Sequence, residues 1–280
     1  MTVADVVVPA TRAAPRSPRS AAWAAFRALV LRDLTVLDKN LERFVPSAVM
    51  QPVLLVFVFT FLFPIIGQGV GGEEGAARFS TLLLPGIVAH SIIFVGIFTV
   101  GMNLISELDA EELEDRVLAP TPIATVAVAK IAAGALQALV AGLIVFPVAA
   151  FLPATPIYLQ ADWPVLLTVM ALTCLASAAL GLALGTLFRP RSAPFLFSVV
   201  ALPLSFLGAI FYTWDSLDPI PLLKYAVLVN PLVYMSEGLR AATVAGTVHL
   251  PLPAVYAALV GFTALFTGLG VRGFRRRVLT

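Results

Sequence analysis

An all-α membrane protein is the fold class this sequence predicts: six transmembrane helices, an interfacial amphipathic helix before them, and an extracellular re-entrant helix pair. Three observations carry the prediction. Of 280 residues, 60% are hydrophobic and only 12% charged, against about 25% charged in soluble domains. The apolar runs reach the roughly 20 residues that a ~30 Å hydrocarbon layer demands. All but three of the 18 lysines and arginines fall on one face of the predicted topology, as the excess of positive charge in cytoplasmic loops requires.

The elements follow in order. Residues 1–20, with Arg12, Arg16 and Arg19 among prolines and alanines, have too little to bury and read as a flexible basic cytoplasmic tail. With no apolar core before Ala21, a cleaved signal peptide is not expected. Over 21–44, Trp23, Phe26, Val30, Leu34, Leu37, Leu41 and Phe44 recur at steps of three and four, with Arg27, Arg32, Asp38, Lys39 and Arg43 on other faces. That segment is the expected interfacial helix. Residues 45–280 form the transmembrane domain, with spans expected at 45–66, 82–105, 123–151, 165–188, 195–212 and 252–271. The Gly-rich stretch 67–80 is expected to be a flexible outside turn.

An even number of crossings puts both ends on one side, and the basic residues name that side the cytoplasm. Arg78, Lys224 and Arg240 are the three outside. The segment 221–246 is moderately apolar but carries Lys224, Asn230, Pro231, Glu237 and Arg240. A seventh crossing there would strand Arg272, Arg275, Arg276 and Arg277 outside. It is therefore read as two short re-entrant helices, with Pro231 ending the first and the charges reaching water.

Between the second and third spans, residues 106–122 hold Glu107, Asp109, Glu111, Glu112, Glu114 and Asp115 with Arg116. So dense a run of charge cannot remain in hydrocarbon. A short, acidic, helical segment facing solvent suits docking to a partner of complementary charge.

Several chemistries are excluded. None of the lysines Lys39, Lys130 and Lys224 follows a glycine, so the chain has no phosphate-binding loop and any ATPase is on another chain. Two histidines are too few for a His-based metal cage, and the lone Cys174, within an apolar run, reads as packing. No catalytic, cofactor or metal residue is expected, nor nucleic-acid binding. His90, Asn103 and Gln137 are polar residues inside the spans and are read as interhelical hydrogen-bonding groups. The span interiors are expected to lack Asp, Glu, Lys and Arg, which argues against an ion-coupled carrier. They are also read as lacking an aromatic track for sugars.

Three motifs carry a resemblance. They are LLLPGIVAHSIIFVGIF at 82–98, EELEDRVLAPTPIATVAVAKI at 111–131 and NPLVYMSEGLRAAT at 230–243. In this order and spacing the chain resembles the membrane subunit of type-2 ABC exporters, the group of daunorubicin-resistance-like drug exporters and polysaccharide exporters. The first motif resembles the Pro-Gly opening of the second span. The last resembles the Asn-Pro re-entrant motif ending in Glu-x-x-Arg. The resemblance implies that Glu111, Glu112, Leu113, Glu114, Asp115 and Arg116 form a coupling helix on an ATPase subunit, although Glu111 and Glu112 stand where many members have Gly-Thr. It also implies two ABC ATPase copies carrying ATP and Mg, and a second permease copy or paralogue.

The expectation is thus the permease subunit of an ATP-driven exporter of an amphipathic drug-like or lipid-like substrate. A lipid-linked polysaccharide exporter is the nearest alternative. A membrane-embedded lipid-modifying enzyme is another, but it would need a paired acid and base at one membrane level. Arginine far outnumbers lysine, a usage that fits a high-GC bacterium and places the chain in a bacterial cytoplasmic membrane.

Overall fold

The computed structural model describes residues 18–67, 72–109, 122–152, 156–188 and 200–279. All regular structure among them is helical. The elements are α1 (Pro18–Lys39), α2 (Leu41–Val56), α3 (Phe63–Ile65), α4 (Gly72–Gly96), α5 (Asn103–Asp109), α6 (Ile123–Phe151), α7 (Trp163–Leu187), α8 (Leu202–Phe206), α9 (Pro221–Ala226), α10 (Pro231–Thr243) and α11 (Leu252–Leu279). Single π turns at Phe57–Leu62 and Ile97–Met102 join α2 to α3 and α4 to α5.

Five helical stretches among the described residues are long and apolar enough to cross a membrane: Leu41–Ile65, Gly75–Glu107, Ala124–Val148, Trp163–Leu187 and Leu252–Arg277. They coincide with five of the six expected spans. The remaining one, 195–212, departs from expectation: 195–199 lie outside the described residues, and over 200–212 the helix ends at Phe206 and the chain turns, with Ala209 at φ +54°. Most of the basic tail also lies outside the described residues.

Several boundaries differ from expectation. The interfacial helix stops at Lys39 because Asn40 turns its side-chain amide back, donating to the Val36 carbonyl at 2.7 Å, an alternative to continued helix that asparagine offers readily. The first crossing therefore starts at Leu41, four residues early. The presumed outside turn is helical from Gly72 onward. Ala76 and Ala77 favour helix there. Pro85 and Gly86 consequently sit inside α4 rather than at its opening. A Cβ on Gly86 would stand 2.6 Å from the Ile210 carbonyl oxygen, so glycine is needed for that backbone approach.

Helix α4 is the central post: 83% of its crossing is buried, against 28% for the α2 crossing and 17% for α11. It packs on α6, α7 and α10, while α7 packs against α6 and α11. Gly181 and Gly185, one turn apart on α7, carry the closest crossing. A Cβ on Gly185 would lie 2.8 Å from the Gly101 carbonyl oxygen, and one on Gly181 would fall onto that of Gly96. Small residues at this spacing let two backbones meet where lipid supplies no hydrophobic drive for association. Helix α1 lies along α6, and its exposed Trp23, Leu31 and Val36 fit a helix bedded in the membrane interface.

At the opposite end of the bundle the extended segment 156–162 caps α10. The Gln160 and Asp162 amides donate to the Thr243 and Ala242 carbonyls at 2.9 and 2.8 Å. Asp162 then caps α7, accepting from the Val165 amide.

Candidate functional site

Two polar assemblies stand out, one at each end of the bundle. The first is a cavity of about 400 Å³ walled by α1, the π turn after α4, α5 and α6. Glu107, near the end of α5, meets Lys130 of α6 with Nζ to Oε2 at 2.5 Å. Both side chains are mostly buried, 17% and 9% exposed. From α1, Arg32 holds Asp33 at 2.6 Å and reaches within 3.9 Å of Glu107. Two acids and two bases thus tie three helices together with no net charge. Buried charges of this kind persist only when paired.

Asn103 and Gln137 both line this cavity. Sequence reasoning singled them out separately and the fold brings them to one place. His90 is elsewhere, with its Nε2 3.1 Å from the Gln51 amide nitrogen, which bridges α4 to α2, in keeping with an interhelical hydrogen bond. The expectation that span interiors lack charge is corrected here by Lys130, which lies within one candidate crossing and pairs with Glu107 at the end of another. They are tolerated because they neutralise each other within protein rather than facing lipid. Nothing in the spacing of Arg32, Glu107 and Lys130 pairs them, and only the docking of α1 on α6 does so.

The cavity lies where the chain leaves α5 at Asp109 and returns at Pro122 to begin α6. The expected coupling residues Glu111, Glu112, Leu113, Glu114, Asp115 and Arg116 fall between those points and outside the described residues.

The second assembly is built on α10. Asn230 caps it by accepting from the Leu232 amide at 2.9 Å, with Pro231 in the first turn. Pro231 thus opens the second short helix rather than ending the first, because its fixed φ suits a helix start and its missing N–H costs nothing there. The Asn230 amide also donates to the Leu204 carbonyl at 2.8 Å.

Glu237 and Arg240 do not reach water. They are 0% and 1% exposed and bonded to each other. Glu237 also accepts from the Trp214 amide at 3.0 Å and the Leu250 amide at 3.2 Å. Arg240 donates to the carbonyls of Ala209 at 2.9 Å and Leu82 at 3.2 Å. Burial lowers the Arg240 pKa from its ordinary value, while the charge and hydrogen bond of Glu237 oppose that shift. A guanidinium so paired stays protonated. Each charge is thereby matched by main-chain groups from α4 and the 209–250 region, so the pair pins the end of the bundle. Ala209, whose carbonyl Arg240 holds, has φ +54°, a left-handed conformation that non-glycine residues rarely adopt.

The spans also hold an aromatic run that sequence reasoning discounted. Phe57 stacks on Phe61 at 5.2 Å, and Phe59 meets Phe63 and Phe211 at 5.3 and 5.0 Å. Among the described residues no group of three or more His, Cys, Asp or Glu is placed to hold a metal ion.

The family model described as ABC-2 type transporter matches residues 24–244. A comparison with curated proteins found no match.

Proposed function

Because the chain belongs to the ABC-2 type transporter family, matched over most of its length, it is the membrane permease subunit of an ABC transporter, and we propose that it exports an amphipathic drug-like or lipid-like molecule. Permeases of this family work with an ABC ATPase. In the proposed assembly two ATPase copies bind ATP and Mg, and a second permease copy or paralogue completes the translocation path. The membrane is a bacterial cytoplasmic one with both chain ends inside, a reading supported by the charge pattern of the sequence, which under six crossings gathers all but three of the 18 basic residues on one face.

The observation that supports the coupling reading best is the position of the Arg32–Glu107–Lys130 network. It joins α1, α5 and α6 at the two ends of the acidic segment 110–121. An ATPase closing on that segment, with Glu114 and Arg116 as the charges it grips, would move α4 and α6 through a rigid, paired junction. Discrete packed elements pass on such displacements because they do not deform continuously.

Co-purification of the ATPase and substrate-stimulated hydrolysis test this. Glu114→Ala with Arg116→Ala should lose the partner or leave hydrolysis uncoupled from transport. Unchanged transport would refute the assignment of the loop. The Phe57–Phe63 run favours a second reading, a lipid-linked polysaccharide as cargo, because aromatic faces also stack on sugar rings. The amphipathic cargo stays ahead because phenylalanine offers those rings no hydrogen-bonding group. Stimulation of hydrolysis by oligosaccharide-lipid and not by apolar drugs would reverse the order.

A further inference from the structure

A second cavity, of about 810 Å³, opens between the last turns of α7 and α11. Its wall is apolar, formed by Leu184, Leu187, Phe266 and Leu269, and its rim carries Arg272 and Arg276, one turn apart on α11. No acidic side chain is among the described residues lining it. Leu187 and Leu269 are 71% and 49% exposed at that site, so the apolar wall continues onto the outer surface of the bundle. Arg277 beside them donates to the Thr186 and Phe188 carbonyls at 3.2 and 3.0 Å and closes the end of α7.

We propose that this cavity holds one anionic phospholipid, its phosphate on Arg272 and Arg276 and its acyl chains along the leucines and Phe266. The chemistry selects the class. A guanidinium matches phosphate oxygens with two donors at once, and an apolar wall open to the membrane has no use for a free anion. Basic pockets between spans at the cytoplasmic leaflet suit acidic headgroups for the same reason. The site is separate from the coupling junction and does not depend on the cargo.

The test is native mass spectrometry and thermal unfolding of the full-length permease in detergent, with phosphatidylglycerol or cardiolipin against phosphatidylcholine. The wild-type chain is expected to retain one anionic lipid with a preference of about tenfold or more, taking each arginine at a surface as a severalfold gain. Arg272→Gln with Arg276→Gln should abolish the preference. Both residues are exposed, so the fold is expected to survive. Arg275→Gln, an exposed neighbour that does not line the cavity, should change it by no more than about twofold. Equal retention of phosphatidylcholine, an unaltered preference in the double variant, or an equal loss in the Arg275 variant would each overturn the proposal. So would equal stabilisation by inorganic phosphate alone, which would make the cavity an anion site without lipid.

Discussion

Glu237 and Arg240, one turn apart on α10, are both sealed from solvent and bonded to each other, and each also bonds main-chain groups of other segments. Glu237→Gln should therefore destabilise the chain by about 3–5 kcal/mol, the usual cost of leaving one buried charge unpaired. Replacing both by leucine should not restore stability. The Trp214 and Leu250 amides and the Leu82 and Ala209 carbonyls would still lose their partners, each at about 1–3 kcal/mol. Thermal unfolding of the purified chain measures both. A stable double-leucine variant would show that the pair is dispensable packing.

The junction at the other end should be asymmetric. Removing the Glu107 carboxylate leaves Lys130 buried without its partner, while Arg32 keeps Asp33. Removing the Lys130 ammonium leaves Glu107 with Arg32 only 3.9 Å away. Glu107→Gln should thus cost more stability than Lys130→Met. The double variant should show a coupling energy of roughly 1–3 kcal/mol, as expected for residues in one ion-pair network. Equal single effects would mean that Arg32 plays no part, and effects that simply add would mean that Glu107 and Lys130 are not coupled.

Much of this organisation was legible from sequence, for identifiable reasons. Apolar runs of spanning length declare themselves, so α2, α4, α6, α7 and α11 lie where expected. Ends were less legible because they depend on local competition: Asn40 breaks a helix by bonding backward, and Gly72 begins one inside a Gly-rich stretch. Glu237 and Arg240 were read as seeking water because charge usually does. Their spacing of three, which places two side chains on one helix face, was the signal that they could meet each other instead. The Gly181 and Gly185 spacing was equally readable as a helix-crossing motif and passed unnoticed. No pattern could have joined Arg32 to Glu107 and Lys130, because that contact is made by tertiary packing alone.

The glycine crossing yields a prediction of opposite signs. Gly185→Ala places a Cβ 2.8 Å from the Gly101 carbonyl oxygen, a backbone atom that cannot step aside. The helices must part, at a cost of roughly 1–3 kcal/mol. Gly261→Ala, in α11, meets nothing within 4 Å and should stabilise by up to about 1 kcal/mol through helix propensity alone. Comparing the two unfolding midpoints checks this, and the same sign for both would remove the crossing from the account of stability.

Asn230 separates capping from tethering. Its carbonyl oxygen accepts from the Leu232 amide, while its amide nitrogen donates to the Leu204 carbonyl and so ties α10 to α8. Asn230→Ala loses both, and the cap alone is worth about 1 kcal/mol. Asn230→Asp keeps the acceptor and gains from the helix dipole, yet it sets a carboxylate against a carbonyl oxygen 2.8 Å from the present nitrogen position. If the tether matters, Asp should be no better than Ala in thermal unfolding above neutral pH. It should recover as pH falls below about 4 and the carboxyl becomes a donor. An aspartate variant as stable as the parent at pH 8 would leave the cap as the whole of the residue's contribution.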